Sequence, residues 1–396
     1  MPASASPSVL FTAFEPSGDD HSAAVIRELR RRHPKLPIFA WGGPKMARAG
    51  ATIIASTGED AVVGIPGWST IKRYLQIQKD IDRWMSEHRP TVHVPVDSPG
   101  ANFTIAKLAK KHGCKVVHLV APQLWAWGPW RLGKLRRRTD LVLCILPFEE
   151  PWFRKKRVPA EFIGHPLFDE PLNLEQLDAE GRSLPEGRIR LAVLPGSRPA
   201  ELRRNFPVML AAFRALRSRH PDLVGVVGAT TDAVRAELQS RASVLGGWPE
   251  GLDVLVGKTD VVVRWCTIAM AVSGTVSLQI AKQARPMILM YKTNKLFYNC
   301  AGRFIITTEF FTLPNLIAGR EIVPELIPYF KGHERLVNAV EALLASPQAQ
   351  QQQREDLQAL CERFAGKIAS AQAAAAIGRV AGAASERVAR EERVEG

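Results

Sequence analysis

Short apolar runs recur along the chain, each followed by a turn rich in Gly, Ser or Pro and then by a stretch whose apolar positions repeat at helical spacing. Residues 9–14 read as a strand, 17–20 as a turn and 21–33 as an amphipathic helix. Residues 37–41 form the next expected strand, closed by Gly42, Gly43 and Pro44. Further strands are expected at 91–96, 115–120, 141–145 and 161–163, with a helix at 103–112. A strand–turn–helix alternation implies a parallel sheet, because each crossover helix returns the chain to the same end of the sheet. Residues 171–188 are polar and rich in Glu, Gly and Pro, as an interdomain linker would be. The alternation then restarts, with strands at 190–194, 223–227, 270–272 and 286–291 and helices at 206–220, 231–242 and 275–283. A helical tail follows at 334–345 and 350–384. The pattern predicts two doubly wound α/β domains facing across a cleft, residues 1–170 and 189–350. The helix at 355–384 either packs back on the first domain or exchanges between protomers of a homodimer.

A chain of 396 residues is too long for one ordinary core and suits two domains. Hydrophobic residues make up 46% and charged ones 23%, a globular composition. The formal net charge of +14 points to an anionic partner, and nucleic acid, anionic lipid and phosphorylated sugars all fit, as does a merely solvated basic surface. Cys114, Cys144, Cys266, Cys300 and Cys361 are widely spaced and form no C-x-x-C pair, which argues for a reducing compartment and against structural zinc. No metal site and no cofactor are expected. The first seven residues carry no basic region, so no signal peptide is expected, and the apolar runs are too short to span a bilayer.

Candidate chemistry lies in the turns that follow strands, where ligands of such sheets bind. Leu194-Pro-Gly-Ser-Arg198 offers Gly196 for close backbone approach and Arg198 as a planar fork for phosphate, with Glu201 at a helix start. Ser273-Gly-Thr275 is a small-residue turn between a strand and a helix and can present N–H groups to a nucleotide diphosphate. Glu15-Pro-Ser-Gly-Asp19 and Asp97-Ser-Pro-Gly-Ala-Asn102 open helices in the first half. There Asp97 is the best-placed carboxylate for general-base work, while capping alone would also explain these residues. Trp125 and Trp127 precede Arg131, Lys134, Arg136, Arg137 and Arg138, a mixture that suits stacked bases or a membrane interface. No RNA-binding signature accompanies it, so nucleic acid is not the expected partner. The chain has no G-x-x-x-x-G-K-[ST] and no G-x-G-x-x-G after its first strand, which speaks against P-loop nucleotidases and dehydrogenases.

In this order the motifs resemble the lipid-A-disaccharide synthase family. The matching stretches are Pro16-Ser-Gly-Asp19, Gly42-Gly-Pro-Lys-Met46, Ala121-Pro-Gln-Leu-Trp-Ala-Trp127, Leu146-Pro-Phe-Glu149 and Phe162-Ile-Gly-His-Pro-Leu167. They continue with Leu194-Pro-Gly-Ser-Arg198, Ser273-Gly-Thr275 and the long Leu313-Pro-Asn-Leu-Ile-Ala-Gly-Arg-Glu-Ile-Val-Pro-Glu-Leu326. The resemblance implies a GT-B fold of two Rossmann-like domains and an inverting, metal-independent sugar transfer. The implied donor is UDP-2,3-diacylglucosamine and the implied acceptor 2,3-diacylglucosamine 1-phosphate (lipid X), giving the lipid A disaccharide 1-phosphate and UDP. The implied place is the cytoplasmic face of the inner membrane, peripherally bound to an anionic surface. On this reading Ser273, Gly274, Thr275 and Arg198 take the pyrophosphate. Ser17, Gly18, Asp19, Asp97 and Asn102 face the acceptor, and Asn315, Arg320 and Glu321 line the nucleotide side.

Two positions depart from the family's pattern. Where it reads D-x-P-D-F-N, Gly100 stands for the second carboxylate and Ala101 for the Phe; if that carboxylate is the family's acid–base group, Asp97 or Asp19 has to substitute for it here. Gln279 stands where a Glu is usual, which loses a charge-assisted bond of roughly 1–2 kcal/mol to the ribose. His21 and Ser22 also replace a small apolar pair in the first turn.

Overall fold

The structure, a computed structural model, describes residues 7–57, 68–293 and 308–383. They fall into two units. One runs to Asp169 and takes in the segment from Gly366, and the other runs from Glu170 to Ala365.

The first unit is a seven-stranded parallel sheet of order β3-β2-β1-β4-β5-β6-β7. Its strands are β1 (Val9–Thr12), β2 (Ile38–Gly42), β3 (Thr52–Ser56), β4 (Val92–Pro95), β5 (Lys115–Leu119), β6 (Leu141–Cys144) and β7 (Ala160–Phe162). Every residue of β1, β4 and β6 is buried, as strands covered on both faces must be. Helices α1 (Pro16–Arg32), α2 (Pro44–Arg48), α3 (Trp68–His88), α4 (Pro99–Lys111), α5 (Leu132–Arg138) and α6 (Glu149–Lys155) make the crossovers. Helix α1 begins at Pro16, where a turn was expected, because a proline at the first helical position gives up no hydrogen bond.

The second unit is a six-stranded parallel sheet of order β10-β9-β8-β11-β12-β13. Its strands are β8 (Ile189–Leu194), β9 (Leu223–Ala229), β10 (Leu252–Val256), β11 (Ile268–Val272), β12 (Met287–Lys292) and β13 (Glu325–Tyr329). Its helices are α7 (Leu174–Gly181), α8 (Pro199–Arg219), α9 (Asp232–Val244), α10 (Thr259–Trp265), α11 (Val276–Lys282), α12 (Leu313–Ala318), α13 (Glu334–Ala345) and α14 (Pro347–Glu362).

Two stretches differ from the sequence reading. Residues 171–188 are not bare linker, since they hold α7, which packs on α10. Asp178 pairs with Arg264 at 2.7 Å and Glu180 with Lys258 at 2.7 Å, so the polar residues that suggested a linker tie the helix down. The tail is also divided. Helix α14 belongs to the second unit, and only α15 (Ala369–Ala381) returns to the first, against α1. Asp169 caps α15 by accepting from the N–H groups of Ala369 (2.6 Å) and Ser370 (2.9 Å). Small residues let the two backbones approach: a Cβ on Gly378 would stand 2.7 Å from His33 Nε2.

Candidate active site

Each sheet has one place where its strand order reverses, between β1 and β4 in the first unit and between β8 and β11 in the second. Loops leaving neighbouring strands there diverge to opposite faces and open a crevice at the carboxyl ends. The turns at 15–19 and 97–102 fall at the first of these places and those at 194–198 and 273–275 at the second.

In the first unit Thr12 of β1 stands in register with Pro95 of β4, so the turns that follow are neighbours. Asp97 and Ser98 both take left-handed backbone, at φ 46° and 40°, which is costly outside glycine. A set of bonds holds them there. The Asp97 N–H donates to the Leu119 carbonyl at 2.9 Å. The Asn102 amide donates to the carbonyls of Val96 and Asp97, each at 2.9 Å, and accepts from the Thr12 hydroxyl at 2.8 Å. Ser98 Oγ donates to Glu15 Oε1 at 2.6 Å and joins this turn to the start of α1. Asn102 is thus a fully buried brace for the Asp97 backbone, not a reacting group.

Asp19 is also committed elsewhere. Its two oxygens accept from the backbone N–H groups of Lys45 and Met46, both at 3.0 Å, capping α2. A Cβ on Gly43 would come within 2.4 Å of Asp19 Oδ2, which explains the glycine pair after β2. Of the two expected bases, Asp19 is therefore held by the fold as a helix cap. Ser17 is exposed on the first turn of α1, while Gly18 is buried against Ala13 and Val96. At Gly100 a side chain would meet nothing within 4 Å, so the position of the missing carboxylate is open space.

The Trp loop divides by function. Trp125 is buried and its indole N–H donates to Glu149 Oε1 at 2.9 Å, so it does not offer a stacking face. The other Glu149 oxygen accepts from the N–H groups of Ile145 (3.1 Å) and Leu146 (3.0 Å). Burial pushes this carboxyl up to about 7, against the pull of those donors. Trp127 and Trp130 are 43% and 68% exposed, and the Arg131 guanidinium lies 4.0 Å over the Trp127 ring. Trp130 and Glu149 were not singled out as site residues. Glu149 stood in a quoted motif, but its burial depends on a tryptophan twenty-four positions away.

In the second unit Leu194 of β8 registers with Ala271 of β11, which brings the Arg198 and Ser273 turns side by side. Gly196 has φ 99°, and a Cβ there would fall 2.5 Å from Glu201 Oε2. Glu201 accepts from the N–H groups of Ser197 (3.3 Å) and Arg198 (3.4 Å), so it shapes the loop in place of contacting a ligand. The Arg198 side chain is 65% exposed and, among the described residues, has a 3.4 Å contact to Glu201. Beside it, Gly274 at φ 153° has open space at its Cβ position, Thr275 is exposed and Gln279 is half-buried one helical turn on.

The long motif at residues 313–326 turns out to support this turn from beneath. Asn315 is fully buried: its oxygen accepts from the N–H groups of Ile322 (2.8 Å) and Val323 (3.0 Å). Its amide donates to the Val323 carbonyl (2.9 Å) and to Glu325 Oε2 (3.0 Å). Glu325 in turn accepts from Phe311 N–H (3.1 Å) and Thr312 Oγ1 (2.8 Å), and Ser273 Oγ donates to the Phe311 carbonyl at 3.1 Å. Asn315 therefore acts through this chain of bonds and does not line the nucleotide side. Arg320 is likewise turned away, paired with Asp356 of α14 at 2.6 Å, and Glu321 is an exposed neighbour.

Two Rossmann-like units, each with a pair of motif turns at its strand-order reversal, make up a GT-B fold. Solved structures share the fold: the calicheamicin glycosyltransferase CalG4 matches at TM-score 0.60 and 15% identity, covering 96% of this chain and 99% of its own. The S. aureus MnaA–UDP co-structure matches at TM-score 0.60 and 10% identity, over 92% and 94% of the two chains. A model of the lipid-A-disaccharide synthetase family matches residues 9–379. The chain is 36% identical to the lipid-A-disaccharide synthase of Anaeromyxobacter dehalogenans over 87% of its length and 90% of that protein. It is 33% identical to the Alcanivorax borkumensis enzyme of the same name, over 94% and 97%. The chain belongs to the lipid-A-disaccharide synthetase family.

Proposed function

We propose that the chain transfers the sugar of UDP-2,3-diacylglucosamine to lipid X with inversion, releasing UDP and forming the lipid A disaccharide 1-phosphate. The observation that carries this reading is the placement of the two motif turns of each unit at its strand-order reversal, with Asp97 in one pair of turns and Arg198 in the other. An inverting transfer needs negative charge near the acceptor hydroxyl to draw off its proton, and cationic or N–H groups at the departing diphosphate. Asp97 supplies the first. Arg198 and the backbone of Ser273, Gly274 and Thr275 supply the second, with Gln279 toward the ribose. The UDP in the MnaA co-structure is in keeping with a nucleotide role for this fold.

The acceptor is a lipid, and the first unit offers a surface for it. Trp127 and Trp130 are exposed beside Lys134, Arg136 and Arg137, a mixture that settles at an anionic bilayer interface. No helix among the described residues is long and apolar enough to cross a membrane. In our reading the protein works peripherally, on the cytoplasmic face of the inner membrane, with this Trp- and Arg-bearing surface toward the lipid.

Calorimetry with UDP tests the nucleotide side. Arg198→Ala should weaken UDP binding about ten- to hundredfold, the loss of a charge-assisted hydrogen bond. Among the described residues the Arg198 side chain is largely exposed, with a 3.4 Å contact to Glu201, so the fold should be unaffected. Unchanged UDP affinity would remove Arg198 from the site.

A further inference from the structure

A chain of buried polar side chains runs from β4 to the Asp97 turn, and it begins at His93. His93 lies on β4 and is fully buried. Its Nε2 stands 2.9 Å from the hydroxyl of Thr12, the last residue of β1. The Thr12 hydroxyl donates to Asn102 Oδ1 at 2.8 Å, and the Asn102 amide donates to the carbonyls of Val96 and Asp97, each at 2.9 Å. Thr12 and Asn102 are fully buried too, so the whole chain of bonds lies away from solvent. We infer that His93 is a positioning residue for the transfer: its Nε2–H fixes the Thr12 hydroxyl and, through Asn102, the left-handed backbone that carries Asp97. The inference rests on the transferase reading above and adds to it a residue that never meets substrate.

The direction of each bond follows from the far end of the chain. Val96 and Asp97 present carbonyl oxygens, which only accept, so the Asn102 NH2 group faces them and its oxygen faces Thr12. That oxygen also only accepts, so the single Thr12 hydroxyl proton points to it. Toward His93, Thr12 has only lone pairs left, and Nε2 must carry the hydrogen. Burial holds the His93 ring neutral by pressing its pKa down to about 3, and the neighbouring His118 ring adds to that shift. Nδ1 is then the unprotonated nitrogen. Protonation there would create a buried N–H with no acceptor among the described residues, a further reason for the ring to stay neutral.

The chain matters because of what it holds. Asp97 and Ser98 sit at φ 46° and 40°, conformations that persist only where several bonds impose them. Asn102 supplies two of those bonds and the Leu119 carbonyl a third. With His93 removed, the Thr12 hydroxyl is free to turn from Asn102, and the brace loosens. Proton transfer needs hydrogen-bond reach, and a misplacement of about 1 Å can lower a rate on the order of a hundredfold. Arg198 and Ser273 belong to the other unit and have no place in this chain of bonds.

Steady-state kinetics of the full-length protein with UDP-2,3-diacylglucosamine and lipid X tests the inference in His93→Leu and His93→Gln. Glutamine carries an amide N–H that can donate to Thr12, whereas leucine has no donor. His93→Leu should lower kcat about tenfold or more with the Kd for UDP unchanged, and His93→Gln should recover kcat to within about threefold of wild type. Equal losses in the two variants, or a kcat of His93→Leu within about twofold of wild type, overturn the inference. NMR of the wild type with nitrogen-labelled histidine needs neither activity nor a folded leucine variant. The ring signal missing from His93→Gln should be that of an Nε2–H tautomer that does not titrate between about pH 5 and 8. An Nδ1–H tautomer, or a ring that protonates in that range, overturns the inference and decides the matter should His93→Leu fail to fold. Absence of turnover by the wild type brings down the transferase reading and this one together, whereas turnover that is insensitive to His93→Leu brings down this one alone.

Discussion

Asp97→Asn is expected to reduce turnover about a hundredfold or more while the protein stays folded. Asparagine is the informative substitution because the Asp97 backbone is left-handed at φ 46°, a conformation that Asn tolerates and Ala resists. The Val96 and Asp97 carbonyls would still be held by Asn102, so the backbone of the turn is kept while the charge is removed. In our account that charge draws off the proton of the acceptor hydroxyl as it attacks. The loss should therefore appear in kcat, with UDP affinity intact. Steady-state kinetics with calorimetry separates the two, and activity within about threefold of wild type would show that the carboxylate has no part in the reaction.

The second large effect is on stability. Asn315→Ala removes four hydrogen bonds and strands the N–H groups of Ile322 and Val323 and the carbonyl of Val323 in the interior. Each buried polar group left unsatisfied costs about 1–3 kcal/mol, so the second unit should lose on the order of 4 kcal/mol. For a domain of this size that is a fall of roughly 10 °C in Tm. Because Asn315 reaches Ser273 through Glu325, Thr312 and Phe311, UDP binding should weaken as well, although Asn315 never meets the nucleotide. Differential scanning calorimetry reads the first effect. A Tm within about 2 °C of wild type would mean the motif is not held as described.

These two residues show where sequence reading succeeds and where it stops. The alternation of apolar strand, small-residue turn and amphipathic helix is local, and it placed the turns after β1, β4, β8 and β11 correctly. Which polar residue of a turn faces a ligand is not local. Asp97 and Asn102 belong to one short motif, yet Asn102 is consumed by Thr12, ninety positions away. Asp19 is consumed by two amides beyond Gly43. Asn315 looked like a ligand residue for the same reason: a polar side chain in a motif reads alike whether it holds substrate or backbone. Helix α7 was hidden in a stretch read as linker because its attachment is made by ion pairs to Lys258 and Arg264, not by an apolar stripe.

The central claim is that this chain makes the disaccharide even though Gly100 stands in place of a carboxylate. The most direct measurement incubates the purified full-length protein with UDP-2,3-diacylglucosamine and lipid X and follows both products by mass spectrometry. The account predicts UDP and tetraacyl disaccharide 1-phosphate in equal amounts. Saturable UDP binding with neither product formed would contradict it.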